Sequence, residues 1–245
     1  MKNVFITGGA GFIGSHTDEA LLARGLQVRV FDNLSYGKAA NLPAAALASG
    51  QLMLVEGNVR DAAAVEAALQ CMDAVLHLAA QVSVQRSVAE LQASSSHNIT
   101  GFLHVLDAVR RRRVARLVYA SSAAVYGVPS SLPLSVDAAP GPLSPYGLEK
   151  LINDQYTELF HTFCNVSSVG MRYFKVYGHR QDLTSPYAGI ISKFANGLQT
   201  GTHLRVFGGG SQTRDFVHVG DVAQANVRAL EASVPGVLNV GTGRT

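Results

Sequence analysis

Short apolar runs alternate with helix-length segments over the first 172 residues of the chain. Runs typical of buried strands lie at residues 4–7, 28–31, 52–55, 74–78, 117–121 and 168–172. Apolar positions with helical spacing occupy residues 12–24, 62–70, 98–110 and 146–163. This alternation predicts a doubly wound α/β fold, in which helices cover both faces of a parallel sheet.

The pattern loosens after residue 172, where turn-forming residues are frequent and long periodic segments are few. One more strand is predicted at residues 237–240. We therefore expect two parts. Residues 1–172 would form the doubly wound domain, and residues 173–245 a smaller, irregular domain that closes over a ligand.

Composition narrows the classes of protein that fit this pattern. Hydrophobic residues make up 47% of the chain and charged residues 15%, which excludes a disordered polypeptide. The two cysteines, Cys71 and Cys164, form no short motif, so neither a disulfide framework nor a metal site is expected. No apolar run reaches the roughly 18 residues of a membrane span. Because a strand pattern begins at residue 3, we expect no secretion signal, no membrane association and a cytoplasmic location.

The net charge of +3 does not indicate a nucleic-acid partner. Much of the excess comes from four arginines at residues 110–113, where a helix is predicted to end. Basic side chains are favourable at that end of a helix, and no aromatic residues are interleaved with them. We therefore expect a solvated helix end there.

A glycine-rich turn, TGGAGFIG at residues 7–14, follows the first predicted strand and opens the first helix. Its glycines allow a tight turn and close approach to a pyrophosphate, which the helix N-terminus attracts. Asp32 ends the next strand, where a carboxylate binds a ribose and repels a 2′-phosphate. Because Asn33 follows it, and not an arginine, NAD is favoured over NADP. The alternative is an ordinary glycine turn and a capping aspartate.

Tyr146 and Lys150 are one turn apart in a predicted helix that Ser144 caps and Pro145 begins. Side chains at positions i and i+4 share one helix face. A lysine ammonium and the positive helix end both stabilise a phenolate, as a general base requires. The alternative is a half-buried tyrosine beside a surface lysine.

The segment YASSAAVYG, at residues 119–127, lies at the carboxyl end of a predicted strand. Ligands of open α/β sheets bind at that end. A serine hydroxyl there can bridge a substrate oxygen and the Tyr146 phenolate. The alternative is a serine turn that merely ends the strand.

Together these motifs resemble the extended short-chain dehydrogenase/reductase family. Within it they are similar to the NAD-dependent sugar-nucleotide epimerases, typified by UDP-glucose 4-epimerase. The resemblance also rests on DNLS at residues 32–35, HLAA at 77–80, Asn98, RYF at 172–174 and RDFVHV at 214–219. It covers essentially the whole chain and implies a Rossmann-type fold. Members of the family continue past residue 245, so the chain resembles a C-terminally shortened member.

The resemblance implies a role for each matching position. The pyrophosphate of NAD would be held by Gly8, Gly11, Phe12, Ile13 and Gly14. The adenosine half would contact Asp32, Asn33, Ser35, Asn58 and Val59, and the nicotinamide side would be lined by Leu78, Ala79 and Ala80. Lys150 would bind the nicotinamide ribose, Tyr146 would be the base on the sugar 4-OH, and Ser122 would share that hydrogen bond. Substrate contacts would come from Ser83, Ser122, Tyr146, Phe174, Lys175, Phe207 and Arg214, the last facing a diphosphate.

Several positions depart from the family's pattern, among them His179, which stands where a proline is usual. Asn58 stands where an aspartate usually contacts adenine, and Lys175 stands where an asparagine usually contacts the substrate phosphates. Asp18 lies on the helix face that should pack on the sheet, where an unpaired carboxylate is costly.

The reaction that the resemblance implies is reversible inversion at C4 of a UDP-hexose, UDP-glucose or UDP-galactose, through a 4-keto intermediate. Ala123 and Ala124 stand where dehydratases and decarboxylating relatives carry an acidic residue, which favours simple epimerisation. The alternatives are a UDP-N-acetylhexosamine or UDP-hexuronate 4-epimerase, or an inactive binder of NAD or nucleotide sugars.

The resemblance also implies a homodimer formed through the helices at residues 98–110 and 146–163. The apolar positions proposed for the interface are Leu103, Leu106 and Val109 on one helix and Ile152, Tyr156 and Leu159 on the other. The same positions fit an intramolecular core equally well.

Overall fold

The computed structural model of the chain describes residues 1–129, 131–182, 189–204, 206 and 208–244. Its strands are β1 (Asn3–Thr7), β2 (Gln27–Asp32), β3 (Leu52–Glu56), β4 (Ala74–His77), β5 (Arg116–Ser122), β6 (Ser168–Tyr173), β7 (Lys175–Tyr177), β8 (Phe216–His218) and β9 (Gly236–Val240). Within these residues, seven strands form one parallel sheet in the order β3-β2-β1-β4-β5-β6-β9. Strands β7 and β8 form a separate parallel pair. The predicted doubly wound α/β fold is confirmed.

Helices connect and cover these strands. They are α1 (Phe12–Leu22), α2 (Ala44–Ser49), α3 (Ala62–Ala68), α4 (Val84–Ala89), α5 (Leu91–Ser95), α6 (Gly101–Arg112), α7 (Pro145–Cys164), α8 (Ile190–Thr200) and α9 (Val219–Glu231). A π-helical turn, Ser96–Thr100, joins α5 to α6. No helix in the described ranges is both long enough and apolar enough to span a membrane.

The core lies on both faces of the main sheet. Val4 and Ile6 of β1 point to one face, and Phe5 between them points to the other, as strand geometry requires. The first face packs against α1 and α9, and the second against α3 and α6. Because both faces are covered, the central strands are apolar throughout, which is the pattern that the sequence displays.

The strand order reverses between β1 and β4, whose carboxyl ends are neighbours. Thr7 ends β1 and His77 ends β4, while Asp32 and Ser122 end β2 and β5 at the same edge of the sheet. In open α/β sheets, a crevice for a ligand opens at such a reversal. The predicted site residues therefore belong to loops around one crevice.

The last part of the chain contributes to the main sheet and to its covering layer. Strand β9 pairs with β6, and α9 packs against α1. Asn226 of α9 donates a hydrogen bond to Thr17 of α1 at 3.1 Å and accepts one from Tyr173 at 2.6 Å. The sequence pattern did not indicate α9. The division of the chain into domains at residue 172 stays a prediction.

Candidate active site

The glycine turn between β1 and α1 forms a cradle that side chains would fill. Gly8 has a φ of +72°, and a Cβ added there would lie 2.7 Å from the backbone nitrogen of Ala79. A Cβ at Gly14 would lie 2.3 Å from the Gly8 carbonyl oxygen. Gly11 is the N-cap of α1, and no side chain of the described residues caps that helix end. The first N–H groups of α1, from Phe12 and Ile13 onward, are therefore available to an anion.

Asp32 lies at the end of β2, beside this cradle. Its Oδ2 accepts a hydrogen bond from the Ala10 N–H at 3.1 Å, and its Oδ1 accepts one from the Leu34 N–H at 2.9 Å. Burial raises the pKa of Asp32, and these two backbone hydrogen bonds oppose the shift. The cradle, the uncapped helix end and this carboxylate fit the pyrophosphate and ribose of a dinucleotide.

The remaining positions predicted for the adenosine half lie in the loops after β2 and β3. Asn33 Oδ1 accepts hydrogen bonds from the N–H and the hydroxyl of Ser35, at 3.1 and 2.7 Å. Asn58 Oδ1 accepts hydrogen bonds from the Arg60 N–H and Nε, at 3.0 and 3.2 Å. Val59 is buried in the core beneath α6. Contact of these residues with adenosine stays a prediction.

The loop after β4 forms the wall of the cradle opposite β2. The Ala79 N–H donates to Thr7 Oγ1 at 3.2 Å, and the Leu78 N–H donates to the Thr7 carbonyl at 3.0 Å. Thr7 Oγ1 also lies 2.8 Å from Nδ1 of His77. Burial, and then the positive charge of Lys150, lowers the pKa of His77 to about 3, so this histidine is neutral at physiological pH. Thr7 thereby fixes the loop at residues 78–80 against the glycine turn.

Helix α7 presents Tyr146 and Lys150 to the end of β5, as predicted. Ser144 caps the helix by accepting the Gly147 N–H at 3.1 Å, and Pro145 occupies the first turn. Lys150 is 2% exposed, and its Nζ donates to the Ala120 carbonyl at 2.8 Å. Burial lowers the pKa of Lys150 to about 8, and Asp154 and Glu149 oppose that shift. The lysine is therefore buried, charged at neutral pH and anchored to β5.

Ser122 and Tyr146 meet at the carboxyl end of β5. Burial raises the pKa of the Tyr146 phenol, a hydrogen bond to Ser122 lowers it, and the charge of Glu149 raises it. Ser122 Oγ also accepts the Ala124 N–H at 3.1 Å, which fixes its rotamer. Together with the buried Lys150, Ser122 and Tyr146 form a group of three residues able to hold and move a proton.

The positions predicted for substrate contact lie in different surroundings. Lys175, in β7, is exposed, and desolvation followed by the positive charge of Arg214 lowers its pKa. Arg214 is also exposed, and its effect on Lys175 shows that the two cations lie near each other. Phe174 is half-buried next to Gly241. Phe207 lies outside the described residues.

Ser83 is a predicted substrate contact that the structure places inside the protein. It is buried, and its hydroxyl caps α4 by accepting the Arg86 N–H at 3.1 Å. Its backbone N–H donates to the side chain of Gln81. The direct role of Ser83 in binding substrate stays a prediction.

A buried ion pair behind the site was not foreseen. Arg172 of β6 contacts Asp154 of α7 at 3.1 Å, and both side chains are almost fully buried. The Tyr119 hydroxyl lies 3.0 Å from Asp154, and Arg172 also donates to the Tyr126 hydroxyl at 2.8 Å. This network fixes the middle of α7, one turn beyond Lys150. Arg172 belongs to the RYF motif at residues 172–174, but only the fold shows that Asp154 is its partner.

The buried carboxylate expected at Asp18 is confirmed. Asp18 is 0% exposed, and neither carboxyl oxygen has a hydrogen-bond partner in the part of the chain that the structure describes. Burial raises the pKa of Asp18 well above its usual range. The negative charges of Glu19 and Asp32 add to the shift, and Arg180 opposes it. The group is therefore costly to ionise where it stands.

Comparison with known proteins agrees with this site. Residues 4–241 match the model of the NAD dependent epimerase/dehydratase family. A putative UDP-glucose 4-epimerase of Methanocaldococcus jannaschii is 37% identical over 243 residues, which cover 98% of this chain and 77% of that protein.

Two solved structures extend the likeness to the fold. A UDP-N-acetylglucosamine 4-epimerase from Methanobrevibacter ruminantium, in complex with UDP-N-acetylmuramic acid, has a TM-score of 0.95 and 38% identity. The match covers 99% of this chain and 77% of that one. The UDP-glucose 4-epimerase of Thermus thermophilus, in complex with NAD, has a TM-score of 0.90 and 38% identity, covering 99% and 78%. The expected dependence on NAD is confirmed, and the chain belongs to the NAD-dependent epimerase/dehydratase family.

Proposed function

We propose that the chain catalyses reversible inversion at C4 of a UDP-hexose, interconverting UDP-glucose and UDP-galactose. The observation that carries this proposal is the meeting of Tyr146, Ser122 and the buried Lys150 at the end of β5. They lie beside the crevice that the glycine turn and Asp32 open for a dinucleotide. The family and the named relatives support an epimerase, which is an isomerase.

In this proposal the side chains of the protein transfer the proton of the sugar hydroxyl and orient that hydroxyl. NAD, when bound, supplies the redox chemistry at C4 through a 4-keto sugar. Tyr146 takes the proton of the 4-OH, and Ser122 holds that oxygen in line with the phenol. Lys150 supplies positive charge next to Tyr146, which favours the phenolate. The proton returns from Tyr146 when the sugar is reduced again.

We infer that NAD is held by residues of the 1–172 part, and that the sugar nucleotide draws on the 173–245 part for its diphosphate. Gly8, Gly11 and Gly14 leave room for the pyrophosphate, and Asp32 binds the ribose. Lys175 and Arg214 are two neighbouring cations suited to the diphosphate of the substrate.

The experiment is incubation of the protein with UDP-galactose, UDP-N-acetylgalactosamine and UDP-galacturonate, followed by separation of the products. We expect formation of the C4 epimer of UDP-galactose. A Tyr146→Phe variant serves as the control for a contaminating activity. Failure of all three substrates to react, with NAD still bound, would favour a binder without turnover.

A second candidate is inversion of a UDP-N-acetylhexosamine. It is favoured by the TM-score of 0.95 and the 38% identity to the UDP-N-acetylglucosamine 4-epimerase of Methanobrevibacter ruminantium. The same incubation decides between them, because the ratio of kcat/KM for the two sugars measures the preference directly.

We also propose a homodimer, with an interface on α7. Tyr156, Leu159 and Phe163 are exposed there, and Leu148 lies one turn after the start of the helix on the same side. Along α7 these four side chains are separated by eight, three and four residues, so they lie in a single apolar stripe. On α6, by contrast, Leu106 and Val109 are fully buried and Leu103 packs against the same core. The interface predicted for α6 is therefore wrong at Leu106 and Val109.

A further inference from the structure

Glu149 lies between Tyr146 and Lys150 in the sequence of α7, yet it is 2% exposed. Its Oε2 accepts hydrogen bonds from the Ser94 hydroxyl at 2.9 Å and from Nδ2 of Asn98 at 2.6 Å. Its Oε1 accepts one from the Ser95 hydroxyl at 3.2 Å. All three partners donate, which is the arrangement that a buried ionised carboxylate requires.

The geometry fixes the direction of each hydrogen bond. Gln81 Nε2 donates to Ser94 Oγ at 3.2 Å, so the Ser94 proton points to Glu149. Asn98 uses one amide hydrogen on the Gln81 carbonyl, at 2.8 Å, and the other on Glu149. Asn98 Oδ1 accepts the Gln81 N–H at 2.8 Å. Every polar group in the chain of contacts from Glu149 to Gln81 thus has a defined partner.

These contacts join two walls of the site. Gln81 directly follows residues 78–80, the wall that faces the glycine turn, and Glu149 belongs to the helix that carries the base. Asn98, which bridges them, lies in the π-helical turn Ser96–Thr100, and such turns are frequent at functional sites. A further contact, from the Tyr146 N–H to Ser87 Oγ at 3.2 Å, ties the first turn of α7 to α4.

We propose that Glu149 is a positioning residue for the Tyr146–Lys150 pair, and that it acts by holding α7 against the loop at residues 78–81 through Asn98. The proposal rests on the proposed function in taking Tyr146 as the base. Its two consequences, for the affinity for NAD and for the pKa of Lys150, can be measured without turnover.

The charge of Glu149 gives the anchor an electrostatic effect. It raises the pKa of Lys150, although less than Asp154 does, against the lowering caused by burial. The charged and titratable groups around Lys150 are Asp154, Glu149 and Tyr146 of α7, with His77 of β4, which is neutral. Glu149 therefore helps Lys150 to keep its proton at neutral pH.

The anchor is tested by the NAD affinity of cofactor-stripped protein, measured by calorimetry. Glu149→Gln keeps the shape but places an amide against three donors. We expect NAD affinity to fall about 10-fold. Glu158→Gln, the same change at an exposed position of α7, is the matched control and should stay within twofold of the wild type. Asn98→Ala and the double variant Asn98→Ala/Glu149→Gln should bind NAD equally, whereas additive losses would overturn the route through Asn98.

The electrostatic effect is tested by carbon-13 NMR of protein labelled at the ε-carbon of its five lysines. A Lys150→Arg variant assigns the Lys150 signal. Its titration midpoint should be lower in Glu149→Gln by roughly 0.5–1 pH unit and unchanged in Glu158→Gln. Glu149→Asp keeps the charge but shortens the reach, so it should lose NAD affinity without shifting the midpoint. Wild-type NAD affinity and an unshifted midpoint in Glu149→Gln would refute the proposal, whether or not the protein epimerises UDP-galactose.

Discussion

The Nζ of Lys150 lies 5.9 Å from the centre of the Tyr146 ring, one turn away on α7. Its hydrogen bond to the Ala120 carbonyl prevents it from moving into solvent. Because the lysine is charged below a pKa of about 8, the phenol of Tyr146 has a fixed positive neighbour at neutral pH. The pair therefore places a fixed positive charge beside the Tyr146 ring before any substrate arrives, while burial raises the pKa of the phenol.

Replacing Tyr146 by phenylalanine removes the proposed base without changing the fold. We expect turnover of UDP-galactose to fall about 10²–10⁴-fold, the usual contribution of general base catalysis. NAD affinity should stay close to that of the wild type. Ser122→Ala should reduce turnover less, because that hydroxyl orients and shares the proton. A near-normal rate in Tyr146→Phe would show that another group is the base.

Removing the charge of Asp32 should narrow the preference for NAD over NADP. In the wild type, we expect NAD to bind at least about 10-fold more tightly, because the carboxylate binds the ribose and repels a 2′-phosphate. Asp32→Ala should narrow the ratio of NAD to NADP affinity. Asp32→Asn also removes the charge, but it keeps an acceptor for the Ala10 or Leu34 N–H. Titration of cofactor-free protein with both dinucleotides measures the ratio. Equal affinities in the wild type would contradict the role given to Asp32.

Asp18→Asn should stabilise the protein, and more so at high pH. The folded-state pKa of Asp18 is raised, so the folded protein holds this proton more tightly than the unfolded chain. Stability is therefore greatest below the ordinary carboxyl pKa and is lost as the pH rises through the folded pKa. Asparagine cannot ionise, so its benefit should be small at pH 4 and about 1–3 kcal/mol at pH 8, or roughly 2–10 °C in Tm.

Thermal unfolding at the two pH values provides the measurement for Asp18. The exposed Glu158, changed to glutamine, is the control for loss of a carboxylate in general. A gain for Asp18→Asn that is equal at pH 4 and pH 8 would show that ionisation of Asp18 does not destabilise the fold.

Lys175→Gln should weaken binding of UDP, the part of the substrate that carries the diphosphate. Loss of one charged hydrogen bond predicts a decrease of about 10-fold, and Arg214→Gln should act similarly. Arg228→Gln removes an exposed cation on α9 and should have no effect. Calorimetry at low salt gives the three affinities. Wild-type affinity in Lys175→Gln would remove this lysine from the diphosphate site.

Leu159→Glu should dissociate the proposed dimer, because it places a charge in the apolar stripe of α7. Light scattering of the wild type and the variant measures the mass. Leu198→Glu, at an exposed leucine of α8, should leave the mass unchanged. The proposal fails if the wild type is already a monomer at micromolar concentration.

Local signals predicted much of the fold and part of the site. The glycine turn, the cap at Ser144 and the proline that follows it act through neighbouring backbone, so their structure can be inferred from a few residues. The burial of Asp18 followed from its place on the inner face of α1. Each of these features depends on residues of a single element and the turn beside it.

Features that depend on distant elements were missed. Leu106 of α6 and Leu159 of α7 show the same helical spacing, but only the first has a neighbouring layer to cover it. Glu149 would pass for a surface residue, because its partner Asn98 lies 51 positions earlier in a π-helical turn. Helix α9 was not predicted, although Val219, Val222 and Leu230 share its buried face.

The packing of α9 on α1 has a consequence for synthesis on the ribosome. Thr17 emerges early, but its partner Asn226 follows 209 residues later, and β9 reaches the edge of β6 later still. Synthesis proceeds at about 5–20 residues per second, so roughly 10–40 s pass before α9 can cover α1. During that interval the side of α1 that packs against α9 is exposed to other chains. Contacts of such long sequence separation also fold slowly. Chaperone demand should therefore be highest for nascent chains that have passed β6 but lack α9.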